Sequence, residues 1–119
     1  EARGFIGGAM LAVDLNAGFV PLRKPGKLPA ETIQKEYAKE YGTDVIEIHK
    51  DAISSDDIVV IHDDLLATGG TMMAAYELVK SMNPKEVYIY FICELLGLNG
   101  CAIFPADVEV TSLFDFPDK

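Results

Sequence analysis

The sequence predicts an α/β fold built on a mostly parallel, twisted sheet flanked by helices. Two observations carry this. Short aliphatic and aromatic runs of strand length alternate with stretches whose apolar residues recur at helical spacing. One run, Ile58–His62, leads into two carboxylates, a small-residue loop and a helix start, the place where parallel α/β sheets bind ligands. The 119 residues, 50% hydrophobic and 24% charged, suit one packed domain spanning 1–119. No repeat, low-complexity tract or linker divides it.

The elements follow in order. Phe5–Leu15 has helical apolar spacing, with Gly7 and Gly8 suited to a loop entering its N-terminus and Gly18 to its stop. Phe19–Leu22 reads as a short buried strand, broken by Arg23-Lys24-Pro25-Gly26-Lys27. Ile33, Tyr37 and Tyr41 recur every fourth residue, which argues for a helix. Gly42-Thr43-Asp44 is a turn and Val45–Ile48 a strand. Asp56-Asp57 give a polar lead into Ile58–His62, a buried strand; Asp63–Gly70 is a loop. Thr71 opens a helix that ends near Asn83-Pro84. Val87–Cys93 is a strand, Gly97–Gly100 a loop, and Val108–Phe114 a last, weaker strand.

Charge narrows the function. The net charge of -9 disfavours nucleic acid as a partner, because neutralising phosphates needs a basic surface. The longest apolar runs are too short to span a bilayer, so no membrane partner is expected. Seven of the 10 basic residues (Arg3, Arg23, Lys24, Lys27, Lys35, Lys39, Lys50) fall within the first fifty positions. They form either a solvated face or a local site for a small polyanion. The 2 cysteines, Cys93 and Cys101, lack CxxC spacing and a histidine pair, which argues against zinc and for a reducing compartment. Cys93 closes an apolar run and is expected to be a buried small hydrophobe.

The chemistry concentrates in Ile58–Thr71. Gly69 and Gly70 let backbone N–H groups turn inward toward an anion, Thr68 and Thr71 add hydroxyls, and the following helix offers free N–H groups and a positive dipole end. Asp63 and Asp64 would repel a phosphate. They suit sugar hydroxyls, or Mg²⁺ held through water. The order is neither GxxxxGK[ST] nor GxGxxG, which disfavours an NTPase and a dinucleotide site.

Val59–Thr71 resembles the phosphoribosyl diphosphate (PRPP) motif of the type I phosphoribosyltransferases. Glu1-Ala2-Arg3-Gly4-Phe5, Arg23-Lys24-Pro25-Gly26-Lys27-Leu28-Pro29, Glu40-Tyr41-Gly42 and Glu47-Ile48-His49-Lys50-Asp51-Ala52 extend the resemblance, in order and spacing, to the adenine phosphoribosyltransferase branch. It covers nearly the whole chain.

The resemblance implies a type I phosphoribosyltransferase core and transfer of 5-phosphoribosyl from PRPP to adenine, giving AMP and pyrophosphate in purine salvage. It implies that Ala67, Thr68, Gly69, Gly70 and Thr71 cradle the 5′-phosphate and that Asp63 and Asp64 bind the ribose hydroxyls. Arg3, Arg23, Lys24 and Lys27 would contact pyrophosphate, partly from a neighbouring subunit. Leu95 would lie beside the base. Glu40 would manage the purine proton on a mobile loop, with Tyr41 shielding the closed site. Mg²⁺ would accompany PRPP, with no direct protein ligand. A cytoplasmic homodimer is implied. The family also places an extended hairpin over Ile33–Tyr41, against the helical spacing, and the hairpin is the expectation adopted.

The sequence departs from the family in two ways. Family chains carry further N-terminal residues, including a first core strand ending at Glu1-Ala2-Arg3 and a hood over adenine, and nothing here matches them. This 119-residue stretch alone is therefore expected to associate or to be poorly soluble. His62 stands where the family has an aliphatic residue, facing either the core or the ribose. Two alternatives remain: transfer to another purine such as xanthine, and a domain that binds PRPP without turnover.

Overall fold

The structure, a computed structural model, describes residues 2–39 and 41–117. Helix α1 spans Ala2–Asp14. An antiparallel hairpin follows, β1 (Thr32–Ala38) and β2 (Thr43–His49), in register from Thr32 opposite His49 to Ala38 opposite Thr43. Then come β3 (Ile58–Leu66), α2 (Gly70–Lys80), β4 (Glu86–Leu95) and β5 (Glu109–Phe116). The last three strands form one parallel sheet in the order β3-β4-β5. Parallel neighbours need a long crossover, and α2 supplies the one between β3 and β4.

The core lies between α2, the sheet and the base of the hairpin. Met72, Ala75 and Val79 of α2 are buried with Ile61 and Leu66 of β3, Ile89 and Phe91 of β4, and Ile46 and Ile48 of β2. Chain termination follows local chemistry: Ser81 caps α2, its hydroxyl donating to the Leu78 carbonyl at 2.6 Å, and Asn83 turns the chain at φ 56°.

The hairpin expectation holds, and its alternation explains the helical signal. Ile33, Lys35 and Tyr37 are half-buried while Gln34, Glu36 and Ala38 are exposed. A spacing of four is two strand periods, so Ile33 and Tyr37 share a face in either conformation.

Several expectations are corrected. Phe19–Leu22 forms no strand: its neighbourhood has one isolated bridge, Arg23 with Glu47, because a short run takes strand geometry only from a ladder partner. Gly7 and Gly8 lie inside α1, where their missing side chains let the helix approach β3. The third strand runs on to Leu66, so Asp63 and Asp64 belong to it and not to a loop. Its start is not buried, with Ile58 57% and Val60 45% exposed, because β3 is an edge strand of the three. An open, mainly apolar cavity of about 740 Å³ runs along residues 58–63, walled by α1 and Phe19–Val20. Finally, the Gly97–Gly100 loop is formed as two 3-10 turns, Leu96–Leu98 and Gly100–Ile103. Cys93 is half-buried and Cys101 exposed; both are free thiols.

Candidate active site

The site forms where β3 ends and α2 begins. Leu66, fully buried, anchors the end of the strand, and the chain crosses Ala67–Gly69 into α2. Gly69 caps the helix in the left-handed region at φ 89°. Its carbonyl accepts the first helical bond, from the Met73 N–H at 2.8 Å. No side chain caps this end among the described residues, so the leading N–H groups face outward beside the Thr68 and Thr71 hydroxyls. That cradle offers donors and a positive dipole end, and it carries no cation of its own.

Packing behind the cradle is tight. A Cβ on Gly69 would come within 2.8 Å of the Gly100 carbonyl and 2.9 Å of Ile103. A Cβ on Gly100 would overlap the Ala67 carbonyl. The turns at Leu96–Ile103 therefore act as a floor. In front, the hairpin overhangs: the Thr71 hydroxyl donates to the Tyr37 hydroxyl at 3.4 Å, and the Ala38 carbonyl lies near Gly70.

The acidic pair sits just before the cradle. The Asp64 N–H donates to Asp63 Oδ1 at 2.9 Å, and Asp64 Oδ2 pairs with Arg3 Nε at 3.2 Å. Asp63 is turned inward, its Oδ1 against Gly4 of α1. Burial pushes the Asp63 carboxyl above the usual carboxylate range; the Asp64 N–H opposes this, and the Asp64 charge adds to it. Helix α1 therefore brings Arg3 to Asp64 of the pair.

His62 faces the helix. Its Nδ1–H donates to the Tyr90 carbonyl at 3.0 Å. The ring stacks on Tyr90, with centroids 5.5 Å apart and planes at 28°. Nε2 is buried under Gly7 with no hydrogen-bond partner among the described residues.

The other sequence candidates lie farther out. Arg23 sits over the Phe5 ring at 5.6 Å. Lys24 and Lys39 reach Asp44 at 3.4 and 3.6 Å near the hairpin tip. The Val45 N–H holds the Asp44 carboxyl below its usual range, and both lysines add to this. Lys27 is exposed in the turn after Gly26. The structure thus gathers Lys24 with the hairpin rather than with the cradle. Tyr41 is 84% exposed at the tip, and Glu40 lies outside the described residues. Leu95, half-buried, ends β4 beside the strand that carries the pair. Sequence reasoning missed Tyr37, Gly4 and Gly100 as parts of the site. For Tyr37 the usable signal was strand alternation through Ile33 and Lys35.

A family model, the phosphoribosyl transferase domain, matches residues 7–114. The chain belongs to the phosphoribosyltransferase family. The adenine phosphoribosyltransferase of Bacteroides thetaiotaomicron is 64% identical over 113 residues, 95% of this chain and 64% of that protein. The chain thus spans less than two thirds of that relative's length. Among solved structures, the adenine phosphoribosyltransferase of Thermoanaerobacter pseudethanolicus superposes with a TM-score of 0.91 at 54% identity, covering 98% of this chain and 67% of that one. The Saccharomyces cerevisiae adenine phosphoribosyltransferase, complexed with adenine and an imino-altritol bisphosphate, gives a TM-score of 0.88 at 44% identity, covering 95% of this chain and 63% of that one. The α/β architecture is therefore that of a type I phosphoribosyltransferase, and the strand–cradle–helix transition is part of it.

Proposed function

We propose that the protein transfers 5-phosphoribosyl from PRPP to adenine, releasing AMP and pyrophosphate. The observation that carries this reading is the juxtaposition of an uncapped, glycine-turned helix start with two adjacent carboxylates at the end of β3. The first suits a phosphate and the second the hydroxyls of the sugar bearing it. The adenine held by the S. cerevisiae neighbour supports the base.

In this reading Ala67, Thr68, Gly69, Gly70 and Thr71 hold the 5′-phosphate, and Asp63 and Asp64 hold the ribose. Arg3 leaves its exposed pairing with Asp64 for the pyrophosphate, assisted by Arg23, Lys24 and Lys27. Mg²⁺ would enter on the PRPP pyrophosphate as part of the substrate. There it would supply positive charge to the leaving pyrophosphate, beside the basic side chains. The transition state carries oxocarbenium charge on the ribose, and the flanking carboxylates stabilise it. Leu95 packs beside the base, Glu40 manages the purine proton, and Tyr41 excludes water when the hairpin closes.

We place the enzyme in the cytoplasm as a homodimer. Two free thiols suit a reducing compartment. The outer stripe of α1, with Ile6 70%, Met10 69% and Val13 83% exposed, suits a second copy. Among the described residues no helix is long and apolar enough to cross a membrane.

The test is AMP formation from adenine, PRPP and Mg²⁺. Turnover with xanthine instead would change the base, and PRPP binding without turnover on any purine would make the chain a sensor. The double change Asp63→Asn with Asp64→Asn is expected to abolish PRPP binding by calorimetry; unchanged affinity would remove the ribose assignment. Glu40→Gln is expected to cut turnover by roughly 10²–10⁴ and to spare PRPP binding, the range for a lost general acid–base group.

A further inference from the structure

We infer that Tyr37 is a positioning residue that couples an anion in the cradle to the placement of the hairpin. The inference rests on the reading that the cradle takes a phosphate.

Three observations meet on β1. The Tyr37 ring packs against the core from the inner face of the strand. Its hydroxyl accepts from Thr71, the first exposed hydroxyl of α2, at 3.4 Å. One residue on, the Ala38 carbonyl stands over Gly70. A second contact, Lys35 Nζ with Glu77 Oε2 at 3.5 Å, lays the same face of β1 along α2, away from the cradle. The hairpin is thus docked at two points, and one of them is a group the anion itself would use.

Hydroxyl chemistry then sets the response. With the cradle free of anion, Thr71 donates its proton to Tyr37. A phosphate oxygen is the stronger, charged acceptor and draws the Thr71 O–H into a hydrogen bond of its own. Thr71 Oγ1 then becomes an acceptor, and Tyr37 turns its own O–H to donate to it. The chain Tyr37–Thr71–phosphate polarises along its length, so the docking bond strengthens when the anion arrives. Residues 37–38 at the end of β1 are therefore held more firmly on α2 when phosphate is bound than when it is not.

The experiment uses the intact protein, with ribose 5-phosphate as the probe. Amide hydrogen exchange is followed in β1 with and without it. In the wild type we expect exchange over residues 33–38 to slow about fivefold on binding, the scale of a single net hydrogen bond. Tyr37→Phe keeps the ring and its packing; it is expected to bind ribose 5-phosphate with less than about fivefold loss and to show no slowing in β1. In turnover the same variant is expected to lose kcat while KM for PRPP barely changes. Lys35→Ala is expected to speed exchange in both states and to preserve the difference between them. Slowing that persists in Tyr37→Phe would overturn the proposal. So would a wild type that binds the probe, protects the start of α2 and leaves β1 unchanged, although the cradle reading would then stand. Failure of the probe to bind would overturn both, while slowing of β1 in a protein without turnover would sustain the coupling and remove the enzyme.

Discussion

Asp63 and Asp64 are chemically identical neighbours with opposite surroundings. Arg3 pairs with one; burial raises the pKa of the other. An acid whose folded pKa is raised holds its proton more tightly in the native state. Its ionisation therefore costs stability as pH rises through the folded value, the cost stays in full at neutral pH, and it is absent below the ordinary carboxylate range. We expect Asp63→Asn to raise the Tm at pH 7, to give no such gain near pH 3, and to weaken PRPP binding. A Tm unchanged at pH 7 would show that Asp63 ionises there without cost. Gly7 offers a second balance. Alanine in a helix is favoured over glycine by about 1 kcal/mol, but a Cβ there would stand 2.7 Å from His62 Nε2, and such overpacking costs roughly 1–3 kcal/mol. Urea unfolding of Gly7→Ala is expected to show a net loss, largely relieved when His62→Ala is added. The carboxylate pair was legible in the sequence because residue type and order carry its chemistry. The glycine contacts were not, because no local pattern says which face of α1 meets β3.

The hairpin and α2 show how elements can be misread and why. Tyr37 and Ile33 satisfy helical and strand periods alike, so only the turn at Gly42, with φ 85°, and the pairing with β2 decide between them. The cradle was more legible, since its glycines precede a strongly periodic helix. Its floor was not, because Gly100 reaches Ala67 from a distant part of the chain. That floor makes Gly69 intolerant. A side chain there meets a left-handed backbone, costing about 1–2 kcal/mol, and then the Gly100 carbonyl. Gly69→Ala is expected to lower stability by roughly 2–4 kcal/mol in denaturant melts, and to weaken phosphate binding in whatever protein still folds.

At the scale of the whole chain, the edge of β3 along the 740 Å³ cavity and the outer stripe of α1 lie exposed among the described residues. The fold class was legible because alternation of strands and helices is local. The failure of Phe19–Leu22 to become a strand was not, since a ladder is a property of two segments and sequence shows one at a time. Met10→Glu places a charge in the centre of the α1 stripe. We expect it to shift light scattering toward the monomer while leaving the fold's circular dichroism intact; an unchanged mass would place the subunit contact elsewhere. The same helix has a further consequence, in time and not in space. Its three glycines, Gly4, Gly7 and Gly8, each weaken it by about 1 kcal/mol, and 13 residues are too few to be helical alone. Helix α1 must therefore borrow its order from β3. Helix α1 is made before β3 and waits without fixed structure until β3 has been made and paired. Arg3 thus meets Asp64 among the last events of assembly, and the site matures only in a chain whose sheet is already in place.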